Sequence, residues 1–110
     1  MIHIESTDET GHMGDAKLKI QAIEDFDCRV VGRVLDGIKR FGDYKILVMS
    51  DHPTPIDIRT HINEPVPFAI YSSADESVKN DDFVYTENSA STSDEYVSEG
   101  YKLVSMLIEE

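Results

Sequence analysis

The stretch AKLKIQAIEDFDCRVVGRVLDGI does most to limit how this chain can fold. Within it Ile20, Ile23, Val30, Val34 and Ile38 fall at helical intervals, and Phe26, Val31 and Leu35 widen the apolar stripe. That period predicts one long amphipathic helix over roughly 15–39, with Asp15 as N-cap and an end near Gly37 or Gly42. Asp27 sits at the edge of the stripe, where polar residues are common, and takes no role. Cys28 lies inside the same pattern and reads as a small buried hydrophobe rather than a nucleophile.

A helix with one apolar stripe needs an apolar surface to lie on, and its flanks read as strands. Ile2 to Ser6 alternates apolar and polar residues from the start of the chain. The turn-rich run TDETGHMGD follows it. After the helix, Gly42-Asp43 turns into YKILVMS, whose unbroken apolar character predicts a central strand covered on both faces. A proline-containing loop spans 51–65, and VPFAIYS from Val66 predicts a third strand. Strand, long helix, strand is a βαβ unit, which requires parallel pairing and a right-handed crossover. The expected class is therefore α/β, a mostly parallel sheet with a long crossover helix, in a single domain over residues 1–110. Residues 72–100 form a polar, acidic surface segment with one short helix, or a partly disordered one. The closing YKLVSMLIE is apolar enough to dock as a helix or edge element.

Composition narrows the function classes. Twenty-two Asp and Glu against 10 Lys and Arg leave a net charge of −12, which argues against nucleic acid as a partner. No run is apolar and long enough for a membrane span or a secretory leader. The single cysteine excludes an internal disulfide and suits a reducing cytoplasm.

Four histidines, His3, His12, His52 and His61, all fall in the first 61 residues. Asp8 and His12 share a D-x-x-x-H spacing after the first expected strand. Asp51 and His52 stand together after the second, and His61 precedes the third. Ligands of open parallel sheets bind at the carboxyl ends of the strands, so this topology would gather Asp8, His12, Asp51, His52 and His61 at one rim. Carboxylate plus imidazole suits Zn²⁺, Mn²⁺ or Fe²⁺ better than Ca²⁺. Two such ions serve phosphoryl transfer by stabilising the attacking and leaving oxygens. Pro53 and Pro55 restrict the backbone beside His52. Each signal also has a plainer explanation. Asp-His pairs arise by chance, Asp8 can cap a helix, and His3 reads as a structural histidine of a strand. Arg59 could hold a substrate phosphate, and a surface salt bridge explains it equally well.

Taken in order, TDETGHMGD, IEDFDCRVVG, SDHPTPIDIRTH, EPVPFAIY and TENSA resemble blocks in the carboxyl-terminal part of the cofactor-independent phosphoglycerate mutases. The match is to the archaeal-type branch, within the alkaline phosphatase superfamily. The resemblance implies a partial alkaline-phosphatase-like core, the C-terminal portion of a larger metalloenzyme. It implies that Asp8, His12 and His61 bind one divalent metal and that Asp51 and His52 bind a second. Mn²⁺ or Zn²⁺ is expected, with Mg²⁺ or Co²⁺ as further candidates. It also implies interconversion of 3- and 2-phosphoglycerate through a phosphoseryl enzyme, in glycolysis. The family's amino-terminal nucleophile block finds no counterpart here, and neither Ser6 nor Ser50 matches its position. These residues alone are therefore expected to be inactive. Other readings are another metal-dependent phosphohydrolase of the same superfamily, or a non-catalytic acidic interaction domain. Exposed sheet edges could also drive self-association.

Overall fold

The computed structural model describes residues 1–75 and 84–109. Residues 76–83, part of the acidic segment expected over 72–100, lie outside the described residues, as does Glu110. The chain sorts into two compact units: Met1–Gly42 with Asp51–Pro65, and Asp43–Ser50 with Val66–Glu110.

The first unit is helical and departs from the expected opening. Residues 2–5 form no strand, and Ser6–Met13 of the turn-rich run is helix α1. Two local features favour the helix. Asp8 and Glu9 lie in its first turn, where the helix dipole welcomes negative charge, and Gly14 closes it at φ 68°. Gly14 N–H bonds to Gly11 O, and Asp15 N–H to Thr10 O. Helix α2, Ala16–Asp25, starts as expected, with the Asp15 carboxylate accepting from Leu18 N–H at 3.0 Å.

The expected helix over 15–39 is present as a helical run of changing pitch. A π-helical turn, Phe26–Val31, follows α2, then α3 (Gly32–Ile38) and a 3₁₀ turn (Lys39–Phe41). The wider π turn includes a bond from Gly32 N–H to Asp27 O. Gly42, at φ 91°, takes the backbone out of the run. Cys28 is exposed, not buried as its place in the pattern suggests, and so are its neighbours Asp27 and Arg29.

The second unit holds β1 (Lys45–Met49), β2 (Phe68–Ser72), α4 (Glu87–Ser91) and α5 (Lys102–Ile108). The two strands pair antiparallel, Lys45 opposite Ser72 and Met49 opposite Phe68. The parallel pairing expected between Ile2–Ser6 and the strand after the helix is not present among the described residues; the ladder that is present, β1 with β2, is antiparallel, and each of its strands is an edge rather than a covered centre. The physical reason lies in the connection. All four prolines, at 53, 55, 65 and 67, fall in it, and none can donate to a helix ladder. A parallel return would need a crossover element, and an antiparallel one needs none. Tyr44 and Ser73 extend the pairing: Tyr44 N–H donates to Ser73 Oγ at 2.8 Å, and Ser73 N–H to Tyr44 O at 2.9 Å. Helix α5 packs on β1 and buries Leu103. Thr86 caps α4 by accepting from Ser89 N–H, so one short helix does occur in the acidic segment. Among the described residues, no helix is long and apolar enough to cross a membrane.

Candidate metal centre

Everything that converges in the first unit comes from α1 and the proline loop. On α1 the D-x-x-x-H spacing is one helical turn, so Asp8 and His12 share a face, with His12 Nε2 3.4 Å from Asp8 Oδ2. The loop delivers the rest. Its backbone folds onto the prolines' carbonyls, with Arg59 N–H donating to Pro55 O at 2.8 Å and Ile62 N–H to Pro53 O at 3.2 Å. That brings His61 Nε2 to 3.1 Å from Asp8 Oδ1 and 3.2 Å from His12 Nε2. The His52 and His61 rings lie 3.5 Å apart, centroid to centroid.

Ligating atoms of Asp8, His52 and His61 thus fall within 4.8 Å of one another. His12 Nε2 stands beside them. Asp51 is largely exposed at the rim, its Oδ2 3.6 Å from His52 Nε2. The five expected residues are therefore gathered, by a helix and a loop rather than by the ends of parallel strands. His52 lies close to Asp8 and His61 and also keeps its Nε2 beside Asp51. His3 is outside the group, exposed and 3.7 Å from Glu5. Arg59 lays its guanidinium against Gly14, and its own backbone adopts φ 61°.

The hydrogen bonds define which nitrogen each ring offers. Arg59 O can only accept, so His12 Nδ1, 2.9 Å away, carries the proton and Nε2 keeps its lone pair. With neutral rings, His12 Nε2 and Asp8 Oδ1 are both acceptors, and His61 Nε2 faces both of them. A single proton on His61 Nε2 must then serve both acceptors, Asp8 Oδ1 having Thr54 as a second donor. A dication serves them better, and the spacing fits: donors around a tetrahedral ion at about 2.0–2.2 Å lie about 3.3–3.6 Å apart. The observed 3.1 Å to Asp8 Oδ1 and 3.2 Å between the two imidazoles need only small adjustment, and His12 Nε2 lies 3.4 Å from the other Asp8 oxygen, Oδ2. Carboxylate and imidazole donors match a borderline transition ion. The Thr54 hydroxyl, and to a lesser degree the His12 and His61 rings, hold the Asp8 carboxyl below its ordinary 3.8 despite an opposing contribution from burial. Asp8 is accordingly kept in the charged form a metal requires.

Sequence reasoning passed over Thr54, Gly11 and Lys19. Thr54 is 4% exposed, and its hydroxyl donates to Asp8 Oδ1 at 2.6 Å. Its carbonyl accepts from Lys19 Nζ at 2.6 Å. Gly11 lets the loop reach α1, since a Cβ there would stand 2.4 Å from Thr54 O. The available signal was the glycine directly before His12.

Comparison with known proteins agrees with this chemistry. The Metalloenzyme superfamily matches residues 1–94. A Geobacter sulfurreducens protein named as a probable 2,3-bisphosphoglycerate-independent phosphoglycerate mutase is 42% identical, over 98% of this chain and 27% of its own length. A Methanothrix thermoacetophila protein named as a 2,3-bisphosphoglycerate-independent phosphoglycerate mutase is 47% identical, over 97% of this chain and 27% of its own. The second such mutase of Methanothermobacter thermautotrophicus is 45% identical, over 83% and 23%. The chain thus spans about a quarter of the length of these relatives. No solved structure matches it significantly. With a superfamily match over most of its residues and a carboxylate–imidazole cluster inside that match, the chain belongs to the metalloenzyme superfamily.

Proposed function

We propose that these residues form the metal-binding C-terminal portion of a 2,3-bisphosphoglycerate-independent phosphoglycerate mutase, within an alkaline-phosphatase-like core whose mostly parallel sheet extends beyond this chain. The observation that carries the reading is the convergence of Asp8, His52 and His61 within 4.8 Å, with His12 beside them. The names of the relatives supply the substrate class, phosphoglycerate. In this reading Asp8, His12 and His61 hold one ion and Asp51 and His52 contribute to a second, Mn²⁺ or Zn²⁺ being the expected metals. Bound there, the ions would activate a serine nucleophile and neutralise charge on the transferring phosphoryl group.

The chain's own residues prepare that chemistry. Asp8 stays ionised, His12 is turned by Arg59 O to present Nε2, and the prolines hold the loop over α1. Arg59 is a weaker candidate for contacting a phosphate. The nucleophile would come from sequence that these 110 residues do not match, so the chain by itself should not turn over phosphoglycerate. A cytoplasmic location accords with the single cysteine. Self-association of the isolated chain is a further part of this reading.

Titration calorimetry with Mn²⁺ and with Zn²⁺ tests the site. Saturable binding should weaken at least tenfold in Asp8→Ala and in His61→Ala. No binding, or binding indifferent to both substitutions, would leave a non-catalytic acidic domain as the better account. On the parent enzyme, 2-phosphoglycerate as product supports a mutase, and release of inorganic phosphate alone supports a phosphohydrolase.

A further inference from the structure

We propose that Thr54 is a positioning residue of the metal centre, its hydroxyl joining His52 to Asp8 so that His52 presents Nε2 to the ion. The inference rests on the metal-binding reading above and concerns a residue that does not itself ligate. Thr54 is the one buried polar side chain among the described residues. A buried hydroxyl is costly unless bonded, and this one has two partners. It stands 2.6 Å from Asp8 Oδ1 and 3.2 Å from His52 Nδ1.

A hydroxyl has one proton to give. The ionised Asp8 carboxylate can only accept, so the Thr54 proton goes to Oδ1. His52 Nδ1 must then be the donor to Thr54 Oγ1, and the ring's remaining lone pair is on Nε2. That nitrogen faces Asp51, 3.6 Å away, on the side where the second ion is expected. One hydroxyl therefore orients a carboxylate and fixes a tautomer. The rest of Thr54 is equally constrained. Its carbonyl is bonded to Lys19 Nζ, and its methyl occupies space that a Cβ on Gly11 would approach to 2.9 Å. Outer partners of this kind commonly change metal affinity by about 10–100-fold when removed.

The test compares the wild-type chain with Thr54→Val, which keeps the shape and loses the hydroxyl, and Thr54→Ser, which keeps the hydroxyl. Two readouts are taken: Mn²⁺ and Zn²⁺ affinity by calorimetry, and the His52 ring tautomer by ¹⁵N NMR on the metal-free protein. Thr54→Val should bind about 10–100-fold more weakly and lose the Nδ1–H preference of His52, while Thr54→Ser stays close to wild type. Equal affinity and an unchanged tautomer in Thr54→Val would overturn the proposal, as would a loss in Thr54→Ser as large as in Thr54→Val. Should Thr54→Val fail to fold, the wild-type spectrum decides alone: His52 in the Nε2–H tautomer contradicts the proposal. Wild-type protein that binds neither ion would instead defeat the metal reading, leaving the tautomer to judge Thr54.

Discussion

Gly11 has no side chain, and the approach of the loop to α1 depends on that. A methyl group there would meet Thr54 O at 2.4 Å and Thr54 Cγ2 at 2.9 Å, so the loop carrying Thr54 would have to move. Gly11→Ala should therefore cost about 1–3 kcal/mol in urea unfolding, although alanine is the better helix former. A change of the opposite sign would mean that the loop yields easily. Tyr85, in the second unit, offers a pH signature. Partial burial, with Glu87 nearby, raises the phenol of this half-exposed side chain above the ordinary 10.0, although a hydrogen bond with Ser50 lowers it. Its hydroxyl donates to Pro67 O at 2.9 Å, a bond that only the protonated phenol can make. The folded state thus favours the neutral form. The resulting stability is present below the unfolded value of 10.0 and is lost as pH rises through the higher folded value. Stability measured across alkaline pH should fall less steeply in Tyr85→Phe than in wild type.

At the level of elements, the caps can be tested separately from the packing. Asp15 accepts from Leu18 N–H at 3.0 Å at the start of α2, and its removal in Asp15→Ala should cost about 1 kcal/mol by thermal unfolding. Much of this level was legible in the residues. The apolar spacing from Ile20 to Ile38 located the helical run, and Asp15 marked its start. Phe26 to Val31 was not distinguishable from ordinary α-helix, because π and α turns tolerate the same apolar stripe. TDETGHMGD misled for a different reason. Its Asp, Thr and Gly residues favour turns individually, yet two acidic residues in a first turn and a left-handed glycine after the last make an acceptable eight-residue helix. The alternation in Ile2 to Ser6 predicts a strand, but a strand requires a neighbour to share its amides, and none pairs there among the described residues.

At the scale of the whole molecule, exposed apolar side chains oppose a large like charge. Ile20 and Ile23 in one unit and Val104 and Ile108 in the other are more than half exposed. A net charge of −12 keeps copies apart at low salt. Screening shortens that repulsion to about 8 Å at 0.15 M and to about 3 Å at 1 M. The mean mass in sedimentation equilibrium should therefore rise with salt and with protein concentration. A constant monomer mass from low to high salt would show that these faces do not associate.

What the sequence determined by itself was local and chemical: the helical run, the cap at Asp15, the apolar strands, and the inventory of five donors with its one-turn Asp8–His12 spacing. These follow from the steric and hydrogen-bonding preferences of neighbouring residues. Only the tertiary structure decided that β1 and β2 run antiparallel, that His52 lies with Asp8 and His61, and that Thr54 links His52 to Asp8. Strand direction, like a contact between residue 8 and residue 61, depends on how a long loop closes. Loop closure is governed by which distant surfaces meet, and no period along the chain records that.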